Sequence, residues 1–202
     1  MIDAFVKAFK GTPHSKRVEL TLKVAGMHRH EHAVRLRSLM DKASASGLAI
    51  HFDGRQLSRR DILQVIAKAD CYISLHRAEG FGYTMAEAMF YGVPVIASGY
   101  SGNLEYMTDS NSFLVPCQET FVKAADGPFQ RGSIWGEPDI DVAAALIRQV
   151  AEKPVDAIDI GERGRKTVVS RLSATAVAET IRSSLGSAFM EDGTGIPKMA
   201  AE

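Results

Sequence analysis

Apolar positions along the chain alternate between two periods. Ile2, Phe5, Val6 and Phe9 recur at helical spacing and predict a short amino-terminal helix. Gly11 to Arg17, with Pro13, reads as a loop. Val18 to Ala25 is rich in strand formers and closes at Gly26, so a buried strand is expected there. Ala33, Leu36, Met40 and Ala43 form a helical stripe that Gly47 ends. Leu48 to Phe52 predicts a second strand. Ser58 followed by Asp61 has the spacing of a helix start, with Ile62 to Ala69 behind it. Cys71 to Leu75 predicts a third strand, Thr84 to Tyr91 a helix stopped by Gly92, and Val93 to Ala97 a fourth strand. Ser101 to Met107 reads as a short helix and Phe113 to Val115 as a fifth strand.

Helix and strand in alternation imply parallel strands joined by right-handed crossovers, an α/β Rossmann-like doubly wound sheet. Ligands of such sheets lie beyond the carboxyl ends of the strands. After Pro116 the pattern breaks. Gln118 to Gly136 reads as long and irregular, and Pro138 is expected to open a helix with Ala143, Leu146, Ile147 and Val150 on one face. Two further helices are expected at about Val155 to Arg171 and Ser173 to Ala188. One domain, residues 1–187, is therefore expected, with residues 188–202 as a flexible tail.

Composition narrows the classes. The chain has 202 residues with 24 basic against 24 acidic side chains, so no basic footprint for nucleic acid exists. Two cysteines, Cys71 and Cys117, make no disulfide scaffold, and Cys71 sits in an apolar run as a small hydrophobe. No signal peptide is read at Met1 to Lys10, and no apolar run approaches the ~20 residues of a membrane helix. The cytoplasm is the expected compartment.

The chemistry concentrates in Glu79-Gly80-Phe81-Gly82-Tyr83-Thr84-Met85-Ala86-Glu87. A strand end, a glycine turn and a helix start meet here. Amides gather at a helix start and its dipole favours an anion, while glycine lets a phosphate come close to the backbone. Two carboxylates bracket the turn. They would repel a diphosphate but can accept hydrogen bonds from paired hydroxyls, which sugars and riboses carry. Taken alone, Thr84 to Glu87 also reads as a capping box, the commoner meaning of that spacing.

The Glu-x7-Glu spacing, inside Glu-Gly-Phe-Gly-x4-Glu-Ala-Met, resembles the signature of retaining glycosyltransferases of the GT-B fold, the group called family four or glycosyl transferases group 1. Other stretches are similar to that family in the same order: Ala69 to Ser74, Gly92 to Ala97, Ser101-Gly102-Asn103-Leu104-Glu105 with Ser101 for a glycine, Asn111 to Pro116, and Gly161-Gly164-Arg165. The resemblance implies the carboxyl-terminal, donor-binding half of such an enzyme. It implies a catalytic role for Glu79 at the hydroxyls of the transferred sugar. Gly80, Phe81 and Gly82 would approach sugar and diphosphate, Thr84 the phosphates, and Glu87 the ribose. Ser101 and Gly102 would floor the sugar, and Arg55, with Gly54 and Gln56, would lie near the base.

The implied reaction moves a sugar from a nucleoside-diphosphate donor to a carbohydrate or lipid-linked acceptor, without metal or cofactor. A lipid-linked acceptor would place it at the inner membrane face. The acceptor domain, the first strand of the donor domain, and the Arg and Lys that neutralise the leaving group find no match. The chain alone is therefore expected to transfer sugar poorly. A complementary Rossmann-like domain or self-association is expected to cover the open face. The alternative is a non-catalytic nucleotide-sugar-binding or interaction module.

His28, His30 and His32 read as a solvated helix start rather than a metal site. His76 and Arg77 could touch a donor or be packed. Trp135 reads as a packing anchor. No Gly-x-Gly-x-x-Gly follows the first strand and no Gly-x4-Gly-Lys-Ser/Thr occurs, which sets dehydrogenases and P-loop enzymes aside. No Asp-x-Asp word is expected, which would set the metal-dependent glycosyltransferase class aside.

Overall fold

The structure, a computed structural model, describes residues 1–27, 33–127 and 129–191, with side-chain surroundings as far as Gly186. The histidine cluster at positions 28, 30 and 32 and most of the expected tail lie outside the described residues. Helix α1 spans Ile2–Phe9 and buries Ile2, Ala4, Phe5, Ala8 and Phe9, the face its period predicts. A 3-10 turn at Pro13–Lys16 leads to β1, Glu19–Lys23, which pairs in parallel with β2, Ala49–Asp53. Between them runs α2, Ala33–Ser46. Its expected stripe is corrected: of those four residues only Ala43 is buried, and Met40 is 42% exposed.

Helix α3, Arg59–Ala67, starts as expected at Ser58, whose hydroxyl oxygen accepts from the Asp61 amide at 3.2 Å. Three parallel strands follow: β3, Tyr72–Ser74; β4, Val95–Ser98; and β5, Phe113–Val115. Helix α4, Tyr83–Phe90, joins β3 to β4. Strand β4 is buried along its whole length. Its Ile96 joins a core with Phe5, Phe9, Leu20, Phe113, Val115 and Ile147. Its Val95 and Ala97 join a second core with Ile66, Met85, Met89, Tyr106, Met107 and Val168. Alternate side chains of one strand thus enter two cores, which is what helices on both faces of a parallel sheet require. The ladder is not continuous: β1–β2 and β3–β4–β5 form separate hydrogen-bonded blocks.

The irregular segment expected at residues 118–136 contains an antiparallel hairpin, β6 at Cys117–Phe121 and β7 at Ile134–Pro138. Pro138 ends β7 instead of opening a helix. Asp139 caps α5, Ile140–Glu152, by accepting from the amides of Asp141 and Val142. Helix α5 packs on α1, and Arg148 Nε donates to the Ala8 carbonyl at 3.0 Å. Helix α6, Pro154–Leu172, crosses α4, where a side chain at Gly161 would overlap the Gly92 carbonyl and one at Gly164 would meet the Asn111 carbonyl at 2.9 Å. Helix α7, Ala174–Glu191, runs past the expected domain end at residue 187.

Candidate functional site

The segment between β3 and α4 and the segment after β4 are laced together. Ser101 Oγ donates to the Glu79 carbonyl at 2.7 Å and accepts from the Glu79 amide at 3.1 Å. The Gly102 amide donates to the same carbonyl at 3.1 Å. A Cβ on Gly102 would overlap the Gly80 carbonyl, so only glycine fits this approach. Tyr106 Oη donates to the Gly82 carbonyl at 2.7 Å. Ser98 Oγ donates to the His76 carbonyl at 2.5 Å, and the buried Asn103 donates to the Ser98 carbonyl at 3.0 Å. His76 lies within this mesh, its Nε2 3.0 Å from the Tyr100 carbonyl and its Nδ1 3.2 Å from Ser74 Oγ. No buried side-chain nitrogen or oxygen among the described residues lacks a partner. A turn tied by so many bonds holds its shape without a ligand.

Ser101 has φ 82°, the only non-glycine residue with positive φ among the described residues. That conformation costs roughly 1–3 kcal/mol for a side-chain-bearing residue. Its two hydrogen bonds to Glu79 offset the strain, which explains how serine stands where the family resemblance expects glycine.

The left-handed Gly82, φ 84°, is the N-cap of α4. This removes the capping-box reading: Thr84 lies inside the first turn, and its Oγ1 accepts from Tyr72 Oη at 2.8 Å. Glu87 does not close the helix start. Its carboxylate, in a side chain only 15% exposed, receives both Nη groups of Arg59 on α3, one at 2.9 Å. Thr84 and Glu87, three residues apart, share a face of α4. Burial pushes the Tyr72 hydroxyl pKa up, its hydrogen bond to Thr84 opposes the shift, and the charges of Glu79 and Glu87 add to it.

Glu79 is half-buried, and its Oε1 accepts from the Gly80 amide at 3.0 Å. The expectation of bare amides around this turn is corrected at that position: the acid folds back onto its own turn. Gly80 itself is exposed, with open space where a Cβ would stand, and Thr84 is exposed, whereas Phe81 is half-buried against Tyr83 and Tyr106.

Arg55 is not brought to this turn. It sits at the carboxyl end of β2, where its Nε and Nη2 each donate to Asp53 at 2.9 Å and Lys23 Nζ donates to its carbonyl at 2.6 Å. The Arg55 guanidinium and amide hold the Asp53 carboxyl well below the usual carboxylate range. An open depression of about 380 Å³ lies there, lined by Thr21, His51, Phe52, Asp53, Gly54 and Arg55. Arg77 is held by Glu137, Nη2 to Oε1 at 2.8 Å, and lies 4.8 Å over the Trp135 ring. Trp135 therefore anchors the hairpin, and Arg77 belongs to that anchor.

The expectation that no Asp-x-Asp occurs is corrected: one stands beside the hairpin, Asp139-Ile140-Asp141. Asp139 is the cap of α5 and Asp141 pairs with Lys7. Among the described residues no cluster of three or more His, Cys, Asp or Glu is placed to hold a metal, and no helix is long and apolar enough to cross a membrane. Sequence reasoning missed Arg59 and Tyr72, the partners of Glu87 and Thr84. Neither belongs to a local pattern that could have announced it.

A two-faced parallel α/β unit with its turn site at a strand's carboxyl end defines a Rossmann-like fold, and solved structures match it as the carboxyl-terminal half of the GT-B architecture. HepE of Anabaena, crystallised with UDP and glucose, superposes with a TM-score of 0.68 at 20% identity over 92% of this chain and 43% of its own. The sucrose-phosphate synthase of Thermosynechococcus elongatus gives 0.67 at 21% identity over 94% and 42%. The carboxyl-terminal domain of LpcC, a group 1 glycosyl transferase family protein of Francisella tularensis, gives 0.63 at 19% identity over 86% and 77%. A curated relative, the GtfA subunit of the UDP-N-acetylglucosamine–peptide N-acetylglucosaminyltransferase of Streptococcus gordonii, is 30% identical over 112 residues. That match spans 54% of this chain and 21% of the relative. Residues 1–167 match the model of the family Glycosyl transferases group 1, and the chain belongs to that family.

Proposed function

We propose that this chain binds the nucleoside-diphosphate sugar of a glycosyl transfer that retains anomeric configuration, as the carboxyl-terminal, donor-side part of the enzyme. The observation that carries the reading is the fate of Glu87. The helix start is capped by Gly82, which leaves this carboxylate on the α4 face as an acceptor for hydroxyls. The family membership and the UDP-bound neighbour support a nucleotide donor. The roles follow the chemistry: Glu87 takes the ribose hydroxyls, Thr84 and the start of α4 face the phosphates, and Glu79 takes the sugar. Gly80, Phe81 and Gly82 carry the backbone toward the ligand, and Ser101 and Gly102 floor the sugar. The base lies toward Arg55. The donor binds without metal, and the acceptor is a carbohydrate or lipid-linked acceptor met in the cytoplasm. Transfer needs a complementary domain.

Calorimetric titration of UDP, GDP and ADP, each with and without EDTA, tests this. One of them should bind below millimolar concentration, equally in both buffers. Absence of binding by all three removes the reading. Glu87→Gln should weaken that binding about tenfold while moving the melting temperature by no more than about 4 °C.

A further inference from the structure

Resting on that reading, we infer that the hairpin β6–β7 is a wedge that sets the sugar-facing turn, with Arg77 and Tyr100 as the positioning residues through which it acts. Neighbouring residues of a strand face opposite ways. On β7 this puts Trp135 and Glu137 on one face and Gly136 on the other. Arg77 covers the first face. Its guanidinium lies 4.8 Å over the Trp135 ring, and its Nη2 donates to Glu137 Oε1 at 2.8 Å. Tyr100 covers the second face. A Cβ on Gly136 would stand 2.6 Å from Tyr100 Cγ, so the ring rests on bare backbone. Tyr100 Oη donates at 3.4 Å to Oε1 of Glu119, the cross-strand partner of Gly136. The Gly136 amide completes the contact by donating to the Arg77 carbonyl at 2.8 Å. Strand β7 is thus gripped on both faces.

The two gripping residues stand beside the two laced segments. Arg77 precedes Glu79 by two residues, and Tyr100 immediately precedes Ser101. Ser98 and Ser101 tie these segments together through the His76 and Glu79 carbonyls, while the hairpin stands between Arg77 and Tyr100. Ties that draw two segments together and a spacer that resists them fix one spacing. Glu79 and Ser101, the residues assigned to the sugar, sit at that spacing, and productive contacts tolerate a displacement of only about 0.5 Å. Thr84 and Glu87, assigned to phosphates and ribose, ride instead on α4, whose Met85 and Met89 are seated in the second core. A change in the wedge therefore reaches the sugar and spares the nucleotide.

The test titrates UDP, GDP and ADP by calorimetry alongside UDP-glucose, UDP-N-acetylglucosamine, GDP-mannose and ADP-glucose. The quantity read is the affinity of the tightest sugar nucleotide divided by that of its bare nucleotide. Arg77→Gln removes the grip on one face of β7, and Gly136→Ala forces Tyr100 off the other. Each should lower the ratio about fivefold, with the bare nucleotide held within about twofold. Phe121→Ser, at a residue 66% exposed at the far end of β6, should leave both affinities unchanged. If Gly136→Ala gives no cooperative melt, Tyr100→Ala opens the same contact and should lower the ratio alike. An unchanged ratio in Arg77→Gln, or in the variant on the Tyr100 side, overturns the inference and leaves the donor site standing. Equal loss of sugar nucleotide and bare nucleotide, or a lowered ratio in Phe121→Ser, also overturns it, since the effect would then not run through the grip. So does a bare nucleotide that binds where no sugar nucleotide does. No nucleotide binding to the unsubstituted chain overturns both readings.

Discussion

The block β3–β4–β5 and the block β1–β2 are built from similar strand–helix units, yet they differ in what holds them. Strand β4 is buried throughout and faces two cores, while β2 has no buried residue and α2 leaves Met40 and Val34 in solvent. Each block has a polar turn at a strand end. The Glu79 turn is fastened to the Ser101 segment by three hydrogen bonds from two residues. The Arg55 turn is fastened to its own neighbours, Asp53 and Lys23. A site that must hold its shape belongs where two buried segments brace each other. The exposed block can offer a contact, but nothing there fixes it.

Paired substitutions can break this contrast. The largest effect is expected from cavity formation. Met89→Ala removes a side chain that is 1% exposed in the second core and should cost about 2–5 kcal/mol in urea unfolding. Met40→Ala, at a residue 42% exposed, should stay within about 0.5 kcal/mol. Equal losses would mean that the two blocks share one level of order.

Next come the turn glycines. In Gly102→Ala the new methyl meets backbone, the Gly80 carbonyl, and the turn must open at a cost of about 1–3 kcal/mol, with nucleotide binding lost. In Gly54→Ala the methyl meets Sδ and Cβ of Met27, side chain rather than a backbone carbonyl, so Met27 must shift and a smaller loss than at Gly102 is expected, with binding retained. Binding retained by Gly102→Ala would sink the braced-turn account.

A smaller effect is expected from Ser101. Ser101→Ala keeps the strained φ and loses both bonds to Glu79, at about 1–2 kcal/mol. Ser101→Gly loses the same bonds but releases the strain, so it should melt higher than the alanine variant. The reverse order would show that the strain is not real.

The smallest effect belongs to the exposed block. Asp53 has its folded pKa lowered by Arg55, so its pairing stabilises above the unfolded value, about 3.9, and that contribution fades as pH falls toward the folded value. Asp53→Asn should therefore lower the melting temperature slightly at neutral pH and flatten the acid side of the profile, the two curves converging as pH falls below about 4. A difference that does not shrink as pH falls would contradict the assignment.

Much of this molecule is written in short-range patterns. The helical period placed α1, short strand-forming apolar runs placed the strands of the parallel blocks, and Ser58 with Asp61 announced the start of α3, because these signals act within a few residues. The words around Glu79, Ser101 and Gly161 marked where the chain must turn or approach closely. Their side-chain roles were not legible. Arg59 meets Glu87 across 28 residues, Ser101 meets Glu79 across 22, and Arg77 meets Glu137 across 60. The hairpin β6–β7 was missed because residues 122–133 separate its strands, so the Asp126-Gly127 dipeptide does not join them directly as a two-residue turn would.

By itself the sequence determined the alternation of helix and strand, the position of the glycine turn and the two acids that flank it. Tertiary structure alone decided that neither acid caps the helix, which one is clamped, and that a serine could stand at a positive φ. Local spacing constrains only neighbours on the chain. A hydrogen bond between α3 and α4, or between the turns after β3 and β4, exists only once the cores have brought those elements together.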